Sequence, residues 1–135
     1  MSDEQHDTNS NQPSGRVAAF AEAIARAEGF YVAESIPARA HNPGDLVIPG
    51  WQGSTLGAER ISVFPSDAEG WRRLWRQLEL IIEGKSNVYT LDNTIWAMGQ
   101  KWAPHDPQNN WAINVAQHLG VSAYSQLRDV LGEQT

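Results

Sequence analysis

A glutamate in an apolar helical pattern is the first residue of this chain whose type and position could support chemistry. Residues 16–28 repeat apolar side chains at helical spacing, and Val17, Phe20 and Ile24 fall on one face. Glu28 follows Ile24 by four residues, so helical geometry directs its carboxyl toward the same, core-facing side. An apolar environment favours the protonated form of a carboxyl, which is the form that a general acid needs near neutral pH.

A structural interpretation of Glu28 stands beside the chemical one. Gly29 is a typical residue for a helix end, so Glu28 could be the last residue of a fraying helix, with its side chain in solvent. Acidic residues at helix ends are common, and most of them have no catalytic role. Taken alone, Glu28 favours this structural interpretation.

A tight turn is predicted at Asn42-Pro43-Gly44, because proline fixes φ and glycine permits positive φ. Asp45 comes directly after this turn and is the best-placed candidate for a second carboxyl, although turn aspartates mostly bond to their own backbone. His41 precedes the turn and could contact a ligand or titrate near neutral pH; a solvated loop histidine is the alternative. Glu34 and Glu59 lie in loops and are weaker candidates for a second acid.

The elements that must position these residues are mostly helical. Residues 31–59 contain four glycines and three prolines, which predicts loops and a small hairpin, and residues 60–64 are predicted as a short strand. The segment from Ser66 to Glu69 has the spacing of a capping box, which predicts the strongest helix of the chain, ending at Gly84. Further helices are predicted over 92–102, 110–119 and 125–131. The predicted fold class is mainly α (α+β), with a small β-hairpin inserted after the first helix.

Length and composition predict one domain with a tail. A chain of 135 residues can bury a core without a covalent staple, and the absence of cysteine excludes disulfides and thiolate metal sites. Residues 1–15 are polar and acidic and lack large apolar residues, which predicts a disordered tail before a domain over 16–135. Six tryptophans are many for this length, and they supply both core volume and flat surfaces on which sugars stack.

Charge and hydropathy argue against two classes of partner. The net charge is −6 and no basic stripe interleaves with aromatic residues, so no nucleic-acid partner is predicted. The N-terminus lacks the pattern of a signal peptide and no apolar run approaches a membrane span, which predicts synthesis in the cytoplasm without membrane insertion. His105 and His118 lack metal-ligand spacing, so no metal site is predicted. A monomer is expected.

A series of short motifs along the chain resembles a known family. The motifs occur in one order over about residues 17–120, and this order distinguishes them from isolated matches. They are Ala27-Glu28-Gly29-Phe30, Arg39 with Asn42-Pro43-Gly44, Val63-Phe64-Pro65, Ala68-Glu69-Gly70-Trp71, Thr94-Ile95, Trp102-Ala103-Pro104, Asn110-Trp111 and Asn114-Val115. With them the chain resembles the lysozyme-like domains of phage and bacterial proteins related to soluble lytic transglycosylases and goose-type lysozyme.

The resemblance implies an activity that cleaves peptidoglycan. In this family the glutamate that ends the first helix is the catalytic acid, which implies Glu28 here. A lytic transglycosylase of this kind uses one glutamate as acid and then as base on the β-1,4 glycosidic bond, whereas a hydrolysing muramidase commonly uses a second carboxyl. The implied partners are peptidoglycan glycan strands, with no metal or cofactor. Delivery to the cell wall would then depend on phage lysis or on a dedicated export system.

The resemblance also implies which side chains line the cleft. The arginine and the Asn-Pro-Gly turn beside the glutamate in this family, and two aromatic residues further along, have counterparts here. His41 and Asp45 are departures, since members more often have asparagine at both positions. The substrate-binding residues expected from the sequence are Arg39, His41, Asn42, Asp45, Tyr89 and Trp102.

Two alternative functions remain open at this point, because function depends on the site more than on the fold. One is a non-catalytic glycan-binding or structural module of a virion or secretion apparatus, with Glu28 as a relic. The other is a small interaction protein whose tryptophans meet a protein partner. Trp51, in a glycine-rich loop, is hard to explain as a core residue, and an exposed loop tryptophan more often marks a contact. Trp71 and Trp75 share one face of a helix and are expected in the core.

Overall fold

Residues 13–132, the part of the chain that this computed structural model describes, contain six helices and one two-stranded antiparallel sheet. The helices are α1 (Gly15–Ala27), α2 (Ile36–Arg39), α3 (Asp67–Ile82), α4 (Ile95–Trp102), α5 (Asn110–Leu119) and α6 (Leu127–Val130). The strands are β1 (Thr55–Leu56) and β2 (Ile61–Ser62). The prediction of a mainly helical chain with a small hairpin after the first helix is confirmed.

Helix α1 begins one residue earlier than the sequence pattern predicted. The Ser14 hydroxyl accepts a hydrogen bond from the Val17 backbone N–H at 3.3 Å, and Gly15 is already helical. Ser14 and Gly15, which the sequence assigned to a tail, thus belong to the start of α1, and residues 1–12 of that predicted tail lie outside the described part of the chain. At the other end, Gly29 takes φ 78°, the left-handed conformation that ends many helices.

The core forms around α1, which is buried on most of its circumference. Helix α1 packs chiefly against α5 and α3, and α4 packs against α5. Four of its buried residues are small or compact: Val17, Ala21, Ala23 and Ala25 are almost without solvent contact. The large buried side chains that fill the space between the helices are Phe20, Ile24, Leu74, Leu78, Ile81, Ile95, Met98, Trp111, Leu127 and Leu131.

The predicted boundaries of α3 are confirmed, but only half of the predicted capping box forms, because the Glu69 carboxyl accepts from Arg72 and Arg73 and not from the Ser66 N–H. The Ser66 hydroxyl accepts from the Glu69 backbone N–H at 3.2 Å, and Gly84 ends the helix with φ 74°. Trp71 and Trp75 are half-buried and stack with ring centroids 6.4 Å apart at the margin of the core. Helix α5 has the bounds predicted for it, whereas α4 and α6 are shorter than predicted.

Residues 31–59 contain one helix that composition did not predict. In α2 the Ser35 hydroxyl accepts from the Ala38 N–H, and Pro37 occupies the first turn, where its missing N–H has no intrahelical acceptor to reach. The helix is a single turn, too short for a recognisable apolar period. The hairpin that follows pairs Thr55 with Ser62 and Leu56 with Ile61, so the predicted strand over 60–64 is confirmed in its central part.

Two glycines allow α3 to pack directly on the Asn42–Gly44 turn. Gly44 does not take positive φ, contrary to the prediction; instead a Cβ there would lie 2.8 Å from the Leu74 Cδ1 atom. The left-handed residue of the turn is Asp45, at φ 56°. A Cβ on Gly70 of α3 would clash with the His41 carbonyl oxygen. The turn is therefore fixed by close backbone packing against a helix.

We expect Gly70→Ala to destabilise the protein by about 2–4 kcal/mol, because neither the helix nor the His41 carbonyl can move without repacking the turn. Gly15→Ala is the matched control, since a Cβ at this helical position meets no other atom within 4 Å. Its free energy of unfolding should stay within about 1 kcal/mol of wild type. Urea denaturation of the three proteins measures both changes. Equal stability of Gly70→Ala and Gly15→Ala would show that the contact is not tight.

Candidate active site

Glu28 lies at the end of α1 and turns its carboxyl inward. Its backbone is still helical, at φ −84° and ψ −7°, and its N–H donates to the Ile24 carbonyl at 2.9 Å. The Trp111 indole N–H, on α5, donates to Glu28 Oε2 at 3.0 Å. The side chain is partly buried and held between two helices. The interpretation of Glu28 as a frayed, solvated helix end is therefore wrong.

The Glu28 carboxyl lines a cavity of about 250 Å³ that opens to solvent. Three further carboxyl groups share this cavity: Asp45 after the turn, Glu59 from the hairpin, and Asp106 from the loop between α4 and α5. Indole rings and small side chains form much of the remaining wall. The other lining residues are Ala27, Trp102, Ala103, His105, Asn110, Trp111 and Asn114.

Burial dominates the ionisation of Glu28. The pKa of this carboxyl is raised from 4.5 to about 8; burial is the largest cause, and the nearby charge of Asp45 is the second. The indole groups of Trp111 and, to a lesser degree, Trp102 act in the opposite direction, and Glu59 adds a smaller increase. At neutral pH Glu28 is thus mostly a neutral acid that can donate a proton.

Asp45 is the second carboxyl with a perturbed ionisation. Burial, followed by repulsion from Glu59, raises its pKa from 3.8 to about 6. Its backbone N–H donates to the Asn42 carbonyl at 3.1 Å, which closes the turn and leaves the carboxyl at the cavity. On the far side of the cavity, His105 Nε2 lies 3.7 Å from Glu59 Oε2. Glu28 and Asp45 therefore share one cavity while their pKa values differ.

A second cavity, of about 370 Å³, continues the first. Asp45, Glu59, Trp102 and His105 line both cavities, so the two form one cleft. Tyr89 lies in the second part, where burial raises its pKa to about 12. The aromatic rings form a row along the cleft. Ring centroids are 6.0 Å apart for Tyr89 and Trp102, and 5.6 Å apart for Trp102 and Trp111.

Three of the predicted substrate-binding residues do not line this cleft. Arg39 is exposed on the last turn of α2, and His41 places Nδ1 2.8 Å from Asp67 Oδ1 on the α3 side of the turn. Neither residue lines the cleft of Glu28. The prediction that these two residues and Asn42 bind substrate beside Glu28 is not supported by their positions. Asp45, Tyr89 and Trp102 do line the cleft, as predicted.

The contacts of Asn42 show that this residue has a structural role. Its side chain is fully buried. The Nδ2 group donates to the carbonyls of Leu46 at 2.9 Å and Ser62 at 2.8 Å, and Oδ1 accepts from the Leu46 N–H at 2.9 Å. The bond to Ser62 joins the turn to strand β2, and the two bonds to Leu46 hold the turn closed. Asn42 thus supports the turn that carries Asp45 and has no donor left for a ligand.

The sequence pattern missed the part of the site that lies before α5. Asp106 Oδ2 accepts from the Trp111 backbone N–H at 2.8 Å, which satisfies an otherwise unpaired donor in the first turn of α5. Asn110 and Asn114 lie one turn apart on the cleft face of the same helix. The sequence does show Asp106 shortly before the predicted start of this helix, but an aspartate at such a position indicates a helix cap and does not by itself indicate a cleft. Trp111 was predicted to face the core, which is confirmed, and its indole N–H also serves the site.

Trp51 has partners within the chain. Its ring meets Phe64 edge to face with centroids 5.4 Å apart, and the Arg73 guanidinium lies over it at 5.5 Å. The indole N–H donates to the Ser54 carbonyl at 2.9 Å. The tryptophan is half-buried, so its loop position is explained without a protein partner.

Among residues 13–132, no helix has both the length and the apolar character needed to cross a bilayer. No three histidine or acidic side chains of that same range are arranged to hold a metal ion. No protein-family model, no curated protein and no solved structure matches this chain. The chemistry of the cleft is thus the basis for assigning a function.

We expect Asn42→Ala to lower the free energy of unfolding by about 2–4 kcal/mol, because it leaves buried partners at Leu46 and Ser62 without hydrogen bonds. Asn87→Ala, in an exposed loop, is the control and should change stability by no more than about 0.5 kcal/mol. Thermal and urea unfolding measure the difference. A variant of wild-type stability that has lost affinity for glycan would instead place Asn42 at the ligand.

The raised pKa of Glu28 predicts a pH-dependent stability. The folded state binds this proton more tightly than the unfolded chain, so the stabilisation is present below pH 4.5 and is lost as pH rises to about 8. Glu28→Gln has no such proton to lose. As pH rises from 4.5 to 9, the free energy of unfolding of Glu28→Gln should increase relative to that of wild type by on the order of 2–4 kcal/mol. Unfolding measured across that range, with exposed Glu34→Gln as control, should show the gain for Glu28→Gln alone.

Proposed function

We propose that this chain is a lysozyme-like glycosidase that cleaves the β-1,4 bonds of peptidoglycan glycan strands, with Glu28 as the catalytic acid and base. The observation that carries the proposal is a carboxyl kept neutral by burial and yet present at the wall of an open cleft. A buried acid beside an indole and a second carboxyl is the arrangement that glycoside cleavage uses. The ordered motifs of the sequence, and a hairpin that follows the helix ending at Glu28, are consistent with it.

In the first step Glu28 donates its proton to the oxygen that leaves the sugar. The bond between C1 and the leaving oxygen breaks, the proton completes the new hydroxyl, and positive charge develops at the anomeric centre. Glu28 becomes a carboxylate in the same step. The substrate's N-acetyl oxygen can stabilise the anomeric centre from within the sugar, which requires no second protein carboxylate.

In the second step the Glu28 carboxylate takes a proton from the nucleophile. If the nucleophile is the 6-hydroxyl of the same sugar, its oxygen bonds to C1 and the product is an anhydro sugar. If it is water, the product has a reducing end. The position of Asp45 allows either outcome, because this carboxyl shares the cavity and, with a pKa of about 6, is largely ionised at neutral pH. Because Glu28 alone can serve both steps of the transglycosylase reaction, we favour the transglycosylase.

The shape of the cleft suits an extended chain better than a small molecule. Two joined cavities extend along Tyr89 and Trp102, which are both partly exposed, and aromatic side chains of this kind contact sugar rings. A third cavity, of about 400 Å³, branches off at Asp45 and Glu59 and has apolar walls from α2 and the hairpin. Such a branch would take an apolar substituent of the sugar chain.

We expect Glu28→Gln to abolish clearing of purified peptidoglycan, with a loss of at least about a hundredfold, because the amide cannot donate and reaccept the proton. Exposed Glu34→Gln should clear like wild type. Wild-type activity should fall as pH rises through about 8, where Glu28 loses its proton. Turbidity measures the rate, and the masses of the products distinguish anhydro from reducing ends.

The outcomes separate the functions that the sequence left open. Equal clearing by wild type and Glu28→Gln removes this residue from the mechanism. Binding of glycan without clearing by any of the proteins supports the non-catalytic module. The same masses in Asp45→Asn as in wild type show that the second carboxyl does not choose the nucleophile.

A further inference from the structure

Trp111 is held more firmly than a residue that only fills the core. Its side chain is 3% exposed, and its ring stacks on Trp102 at a centroid distance of 5.6 Å. Its backbone N–H donates to Asp106 Oδ2 at 2.8 Å, and its indole N–H donates to Glu28 Oε2 at 3.0 Å. Trp102 is itself anchored, since its indole N–H donates to the Gly44 carbonyl at 3.1 Å. The indole of Trp111 thus has a fixed orientation toward Glu28.

We propose that Trp111 is a positioning residue that determines which oxygen of Glu28 carries the catalytic proton. An indole N–H only donates, so the oxygen that faces it must accept. In the neutral acid the carbonyl oxygen is the better acceptor, which assigns that role to Oε2 and the proton to Oε1. The proposal rests on the proposed function, in which this proton moves to the leaving oxygen.

The same contact acts again after the proton has left. The bond from Trp111 to Oε2 then has a charged acceptor and becomes stronger, so it stabilises the carboxylate that must serve as base in the second step. This agrees with its effect in the resting protein, where the Trp111 bond lowers the pKa of Glu28 against the larger effect of burial. Without this donor the acid would be harder to ionise, so the proton transfer of the first step would be slower.

Other charged groups surround Glu28 and must be separated from this effect. Asp45 approaches from the turn, Glu59 from the hairpin, and His105 and Asp106 from the loop before α5. Among these, Asp45 and Glu59 raise the pKa of Glu28. The NMR resonance of the Trp111 indole proton distinguishes the hydrogen bond to Glu28 from the electrostatic effects of these groups, because a hydrogen bond shifts the resonance of the donated proton directly.

The first test needs no activity and no variant of Trp111. In wild-type protein with labelled tryptophan and glutamate, the indole Hε1 resonance of Trp111 should move downfield with the same midpoint as the Glu28 carboxyl carbon, near pH 8. In Glu28→Gln that step should vanish. An indole resonance that stays constant while Glu28 titrates overturns the proposal, as does a step that persists in Glu28→Gln.

The second test removes the donor and keeps an aromatic ring at the position. Trp111→Phe keeps a ring for stacking and loses the N–H, so kcat should fall roughly ten- to a hundredfold with KM within about twofold of wild type. The alkaline limb of the pH–rate profile should move up by about one pH unit. Trp75→Phe, half-buried on α3 and outside the cleft, controls for the loss of an indole from the core and should keep wild-type kinetics.

The two failures are distinguishable. If wild type and Glu28→Gln are equally inactive, the proposed function fails. The titration of the indole resonance then still shows whether Trp111 is hydrogen-bonded to Glu28. If wild type clears, Glu28→Gln does not, and Trp111→Phe has the wild-type kcat and pH profile, then Glu28 is catalytic and the positioning role of Trp111 is wrong. Thermal unfolding of Trp111→Phe confirms that kinetics are read on folded protein.

Discussion

The burial of α1 on most of its circumference is the constraint on which the rest of the structure depends. A helix with one apolar stripe would rest on a core, but Ala21, Ala23 and Ala25 extend the buried surface well beyond the stripe. Small side chains let α3 and α5 approach closely, so the helix becomes the axis around which the others pack. Whatever residue ends such a helix is held against its neighbours. Here that residue is Glu28.

Helices supply the rigid side of the cleft and loops supply its charge. Glu28 and Trp111 lie on α1 and α5, whose packing is set by the core, whereas Asp45, Glu59 and Asp106 come from three separate connections. Bringing like charges together is unfavourable unless some of them stay protonated. The pKa values of about 8 for Glu28 and about 6 for Asp45 show how this cleft reduces the repulsion. The two carboxyls therefore differ in protonation over a range that includes neutral pH.

Local patterns predicted the helices well because helices form from local information. The period of apolar residues and the Ser66 cap gave α3 its bounds, and the Glu28 side chain faces inward, as the stripe from Val17 predicted. The turn residues were less predictable. His41 and Asp45 both have left-handed backbones, at φ 55° and 56°. The Asn-Pro-Gly motif predicts a turn but not these two conformations, and they set the directions of both side chains. As a result His41 reaches Asp67 while Asp45 reaches the cleft.

Asp45 combines an unfavourable backbone conformation with a carboxyl group at the cleft. At φ 56° glycine has no conformational penalty, whereas other residues do, and the penalty is smaller for asparagine and aspartate than for the rest. A redesign guided by stability alone would therefore place glycine at this position, with an expected gain from relieved strain and from the removal of a partly buried carboxyl. That sequence would be ranked above the natural one while its cleft had lost an ionisable group. Thermostability screens on this scaffold would thus select against the cleft unless position 45 were held fixed.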